Sequence, residues 1–265
     1  MSVNLIYLSS GHCMHIKLLF LFHCICFISA SQVVDDFSDG DFLNNPIWNG
    51  STSDFIVNSE QQVQLNNTIA STSYLSTPHN LSTIDEKEWR IWTKQSFSAS
   101  SGNNGRIYLT ADNADMGIVQ NGYYLQLGES GTDDAIRLFK MEAGTSTLIC
   151  SGIDGQIATS FEVSIKVTRS SGGVWSLYTD LSGGTNYNFE SSNADPSALL
   201  GTHIGFTDVY TVSNATKFYY GDVYIGELII DTEPPIMQEV NIISETAIDV
   251  LFNESLDISS STLIS

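Results

Sequence analysis

Four aspartates, Asp35, Asp36, Asp39 and Asp41, crowd into the stretch VVDDFSDGDFLNNPIW, from Val33 to Trp48. Carboxylates at this density can hold a hard cation or share protons in acid–base work, and each role demands its own spacing. An EF-hand calcium loop needs oxygen ligands at its first, third and fifth positions before the glycine; counted from Asp35 the third is Phe37, so that pattern fails. Retaining glycoside hydrolysis needs two carboxylates about 5 Å apart, which on a strand means acidic residues at i, i+2 and i+4 or i+5 within an apolar run. No segment carries that spacing. IDEKEW supplies Asp85, Glu86 and Glu88 with Lys87 among them, which predicts a solvated turn before a strand. GESGTDD places Glu129, Asp133 and Asp134 in a hairpin loop, where turn chemistry accounts for them. After the N-terminal leader only His79, His203 and Cys150 remain as candidate nucleophile or zinc residues, none in a recognisable spacing, and Cys150 reads as a buried strand cysteine. No catalytic residue is expected.

Binding chemistry has more support. In EWRIWTKQSF, alternation sets Trp89, Ile91 and Phe97 on one face and Arg90, Trp92 and Lys94 on the other. In GRIYLTA, Arg106 and Tyr108 share a face, on a strand expected beside the first. Aromatic rings interleaved with hydrogen-bonding groups can stack on sugar rings while fixing hydroxyls, so Arg90, Trp92, Lys94, Arg106 and Tyr108 are the candidate floor of a glycan groove. The alternative for Trp92 is that it packs beneath a loop. Trp48 and Trp175 read as core or loop anchors rather than ligand platforms.

The elements that must position these residues are strands. FEVSIKVTR alternates Phe161, Val163, Ile165 and Val167 with Glu162, Ser164, Lys166 and Thr168, and GYYLQLG, DAIRLFKM, TSTLICS and VWSLYTD follow suit. Turn signals such as SGNNG, DNADMG, SGIDG and SSGG separate them. Roughly a dozen strands over some 200 residues exceed an immunoglobulin domain and predict an all-β, jelly-roll β-sandwich. The composition agrees with one large core: 265 residues, 42% hydrophobic and 15% charged. Thirty acidic against ten basic residues, a net charge of −20, leave no basic patch for nucleic acid and disfavour anionic membranes.

At the N-terminus, MHIKLLFLFHCICFISAS joins Lys17 to an apolar run too short to span a bilayer, which predicts a signal peptide over residues 1–31 with Met14 as an alternative start. The protein is then expected to be secreted, with no membrane insertion after cleavage. At the other end, Pro234-Pro235 interrupts the alternation after Asp231, so residues 32–231 form the sandwich and 232–265 the beginning of a further β-domain. Jelly-roll modules commonly hold a structural calcium where first and last strands meet, in a closing motif like FYxDDV. Here the motif is FYYGDV, with Gly221 in place of one aspartate, leaving Asp222 to be joined by Asp35 or Asp36; a calcium site and an empty acidic edge are the two readings.

Taken together, DDFSDGDFLNNPIWNGSTSDFIVNSEQQVQL, STSYLSTPHNLS, NGYYLQLGESGTDDAIRLFK, FEVSIKVTRSSGGVWSLYTD and TKFYYGDVYIGELIIDTEPP resemble the N-terminal region of large secreted surface proteins of gliding-type bacteria. The resemblance covers about Asp35 to Leu256. It implies a concanavalin A-like (laminin-G-like) jelly roll followed by bacterial Ig-like repeats, with a lamin-tail domain and a type IX sorting signal that this chain does not contain. IDVLFNESLD resembles the second strand of such a repeat, with Asn253 where serine is usual. The expectation is a secreted, non-catalytic cell-surface module for adhesion or carbohydrate binding. A glycoside hydrolase or polysaccharide lyase on the same fold, and a purely structural spacer, are the alternatives.

Overall fold

The computed structural model describes residues 32–230 and 234–253. The expected signal peptide lies outside the described residues, as do Asp231 and the end of the expected second-domain motif from Glu254 onward. In chain order the strands are β1 (Val33–Asp35), β2 (Asn49–Gly50), β3 (Phe55–Val57), β4 (Val63–Leu65), β5 (Ser71–Pro78), β6 (Lys87–Gln95), β7 (Asn104–Ala111) and β8 (Gly122–Leu127). They continue with β9 (Ile136–Glu142), β10 (Thr145–Ser151), β11 (Phe161–Arg169), β12 (Val174–Asp180), β13 (Asn188–Ala194), β14 (His203–Tyr210) and β15 (Phe218–Glu227).

Two antiparallel sheets result. The first runs β13-β12-β11-β6-β15-β4-β3 with β1 also on β15; the second runs β10-β9-β8-β7-β14-β5-β2. Period-two alternation explains the layering, since Val163, Ile165 and Val167 of β11 point inward and Lys166 and Thr168 outward. The inner faces meet in one aromatic-rich core. Trp175 lies 5.3 Å from Trp89 and 4.5 Å from Tyr123, and Phe206 stacks 5.0 Å from Trp48 and 4.1 Å from Tyr220. Trp48, Trp89 and Trp175 are fully enclosed, each contributing about 1.5–3 kcal/mol from burial alone. Cys150 is a buried strand cysteine, and the first and last sandwich strands pair, with Val33 opposite Ile225 and Asp35 opposite Val223.

Three expectations need correction. The strand bearing Arg106 and Tyr108 is not beside the one bearing Arg90 and Trp92: β6 lies between β11 and β15 in the first sheet, and β7 between β8 and β14 in the second. Hydrophobic alternation marks which face of a strand is buried but not which sheet it joins. IDEKEW is not a solvated turn throughout, because β6 begins at Lys87 and both Lys87 and Glu88 are buried. Ion pairs compensate them: Lys87 with Glu227, Glu88 with Arg90, and Asp85 with the buried Arg169. Phe97 lies beyond the end of β6 and packs 4.8 Å from Phe218.

Beyond the sandwich, β16 (Met237–Ser244) and β17 (Ala247–Phe252) pair with each other, and with no other strand among the described residues.

Candidate functional site

The outer face of the first sheet is built in register rows. Glu162, Lys94 and Tyr219 form one; Ser164, Trp92 and Gly221 the next; Lys166, Arg90 and Tyr224 a third. Outward positions of a central strand would ordinarily be solvated, but the loop 181–187 between β12 and β13 folds over this face. Gly183 at φ +72 permits the close approach; a Cβ there would stand 2.9 Å from the Trp92 indole nitrogen. Trp92 is consequently 7% exposed, so it packs beneath a loop rather than offering an open ring face.

A hollow of about 390 Å³ opens beside it, lined by Arg90, Trp92, Thr185, Tyr187, Asp222 and Tyr224 among others. The Arg90 guanidinium lies 5.5 Å above the Tyr187 ring, and the Lys166 ammonium lies 5.0 Å from that ring and 4.4 Å from Tyr178. Burial pushes the Lys166 ammonium below its ordinary pKa and the Tyr187 phenol above its own. Lys94 is not part of this hollow. It lies 3.8 Å from Glu162 and 5.6 Å from the Tyr219 ring, and lines a separate depression with Gln95 and Ser160.

An adjoining hollow of about 270 Å³ shares Trp92, Gly183 and Asp222 and adds Asp36, Glu60 and Glu162. A bulge between Gly221 and Tyr224 holds Asp222 at φ +47. Burial, and then the nearby charge of Asp36, raise the Asp222 carboxyl above its usual pKa. Asp35 does not join them. Its side chain is buried, accepting hydrogen bonds from the Trp48 indole N–H at 2.8 Å and the Phe37 amide at 2.9 Å, and burial raises it to about 6. The other aspartates of the opening run are also occupied as turn acceptors: Asp36 from Ser38 N–H, Asp39 from Asp41 N–H, and Asp41 from Leu43 and Asn44 N–H. Among the described residues no group of three His, Cys, Asp or Glu is placed to hold a metal ion. Two carboxylates alone fall short of the six to eight oxygens, roughly, that calcium takes.

Arg106 and Tyr108 share the outer face of the second sheet, in a third hollow of about 310 Å³. The groove expected from the sequence is thus divided between opposite faces of the molecule. Sequence reasoning missed Tyr187, Tyr224 and Lys166. The last two occupy outward positions of alternating strands and were legible by period, whereas Tyr187 sits on a loop that carries no such signal.

Two antiparallel sheets packed face to face make this chain a β-sandwich. No protein-family model matches the chain, and no curated protein matches it in sequence. Among solved structures it is similar to the exoplasmic/lumenal domain of VIP36 in a Ca2+/Man2-bound form, at 13% identity and TM-score 0.53, over 77% of this chain and 90% of that one. It is similar also to the carbohydrate recognition domain of Emp47p, at 13% identity and TM-score 0.53 over 76% and 96% of the two chains. The metal-free carbohydrate recognition domain of Emp46p gives 12% identity and TM-score 0.51 over 75% and 97%. At these identities the shared feature is the fold.

Proposed function

We propose that the chain is a secreted, non-catalytic cell-surface module whose sandwich, a concanavalin A-like jelly roll over residues 32–231, binds carbohydrate and serves adhesion, with the start of an Ig-like domain after it. The observation that carries this is the hollow where Tyr187, Tyr224 and the edge of Trp92 meet Arg90, Asp222 and the Thr185 hydroxyl. Aromatic walls suit the C–H faces of a pyranose, and the charged and hydroxyl groups suit its hydroxyls. The fold shared with the Emp47p carbohydrate recognition domain, and with the VIP36 exoplasmic/lumenal domain solved with Ca2+ and Man2 bound, supports the same reading. Among the described residues no helix is long and apolar enough to cross a membrane, and the acidic charge leaves nucleic acid out of the partners. Calcium enters only as an accessory ion at Asp36 and Asp222, since among the described residues no third carboxylate is placed to complete a metal site with them.

A glycan array with and without EDTA tests the reading. Neutral glycans are expected to bind, and Tyr187→Ala, which removes a wall without opening the core, is expected to weaken binding roughly tenfold or more. Turnover of a β-glucan by the purified protein would retire the non-catalytic reading, and silence across the array would leave the structural spacer. Loss of signal in EDTA would place an ion in the site.

A further inference from the structure

The hollow on the second sheet differs from the first in its chemistry. Its floor is a register row in which Thr207 of β14 opposes Arg106 of β7, and Arg106 opposes Gln126 of β8. Met116 and Val119, from the loop 112–121, and Met141 of β9 pack with Tyr108 and Tyr124 into an apolar cluster along one side. Asn104 and Gln120 add amides to the lining.

Arg106 is held but not neutralised. Its Nε donates to Gln126 Oε1 at 2.8 Å, and its guanidinium carbon lies 4.7 Å above the Tyr124 ring, which together fix the plane of the fork. The Tyr108 phenol lies beside it, and the Arg106 charge opposes the upward pull of burial on that phenol's pKa. Of the four arginines among the described residues, Arg90, Arg137 and Arg169 pair with carboxylates and Arg106 does not; Lys166 and Lys217 are the other cations without a carboxylate partner. In a chain of net charge −20 an unpaired arginine is conspicuous. Beside it, Thr207 is 9% exposed and its hydroxyl has no hydrogen-bond partner. A buried donor left without an acceptor is costly, so the site favours something that accepts from it.

An acceptor able to meet both a planar fork and a hydroxyl is a carboxylate. With one cation in the hollow, a singly charged group fits better than a dianion. We infer that the Arg106–Thr207 hollow is a second glycan subsite that takes a uronate residue, its carboxylate on Arg106 and Thr207 and its ring between Tyr108, Met116 and Met141. That the body is a sugar rests on the carbohydrate reading above; the carboxylate rests on Arg106 and Thr207 alone.

Titration calorimetry with tri-galacturonate and its fully methyl-esterified counterpart tests this. The acid is expected to bind, with the ester roughly tenfold weaker or more because the charge-assisted pairs are lost. Arg106→Gln is expected to abolish binding, and Arg106→Lys, which keeps charge without the fork, to lose roughly tenfold. Thr207→Val should weaken binding a few-fold, and Tyr187→Ala should leave it unchanged. Equal binding of acid and ester, no binding of the acid, or full affinity in a cooperatively melting Arg106→Gln would overturn the inference. Loss with Tyr187→Ala but not Arg106→Gln would overturn it too, placing the ligand on the first sheet. If neutral glycans bind but the uronate does not, this inference alone fails.

Discussion

At the scale of single residues, the opening aspartates show how environment decides what a carboxylate does. Asp35 became a buried hydrogen-bond acceptor for Trp48, Asp39 and Asp41 serve their own turns, and Asp36 faces the hollow shared with Asp222. Besides Asp35, two other buried groups couple ionisation to folding. Asp208, wholly enclosed, accepts from the Tyr220 hydroxyl at 2.5 Å, and burial lifts its carboxyl from 3.8 to about 8. The folded state therefore keeps a proton that the unfolded chain gives up, so the stability it contributes is complete below an ordinary carboxyl pKa and is lost as pH rises through about 8. His79 has the opposite effect. Burial, followed by the neighbouring His203, lowers it from 6.5 to about 4, so its contribution is present above 6.5 and lost as pH falls toward 4. Between about 4 and 6.5 the two contributions oppose and largely offset one another, whereas from 6.5 to about 8 the Asp208 loss stands alone, so the melting temperature should fall over that window; Asp208→Asn should flatten the fall and His79→Gln should make it begin near 4. A profile unchanged in both variants would show that other groups govern it.

At the scale of elements, the turns and bulges place functional groups that strand periodicity cannot. The loop 181–187 roofs Trp92 because Gly183 has a left-handed conformation and no Cβ, and the bulge in β15 swings Asp222 toward Asp36. Gly183→Ala would set a methyl 2.8 Å from Glu162 Oε1 and 2.9 Å from Trp92 Nε1. It should destabilise the fold by about 1 kcal/mol or more, red-shift the Trp92 emission as water enters, and weaken binding in the first hollow; unchanged emission would mean the roof does not close on the ring. Strand β13, NFESSNA, was invisible to hydrophobic alternation because it is an edge strand with both faces largely exposed, held by its ladder to β12. The carboxylates of IDEKEW escape the spacing argument for a related reason: Glu88 is buried against Arg90, and the half-exposed Asp85 pairs with Arg169, more than eighty residues away.

At the scale of the whole molecule, the two sheets bury one shared core, and among the described residues the hairpin β16–β17 pairs with neither sheet. A chain ending at Ile230 should accordingly melt cooperatively at the same temperature as the longer one, by circular dichroism; a fall of more than a few degrees would show that the later segment supports the sandwich. Side-chain period and turn residues, which are local, suffice for the all-β class, the inward rows of β6 and β11 and the buried Cys150; the pairing of first and last strands came only from the expected jelly-roll closure. Only the tertiary structure decided that Arg90 and Arg106 lie on opposite faces, that Tyr187 and Tyr224 join Trp92, and that Asp35 turns inward while Asp36 meets Asp222. Those outcomes depend on which sheet each strand enters and which loop crosses it, and that choice is made by long-range packing that no spacing along the chain encodes.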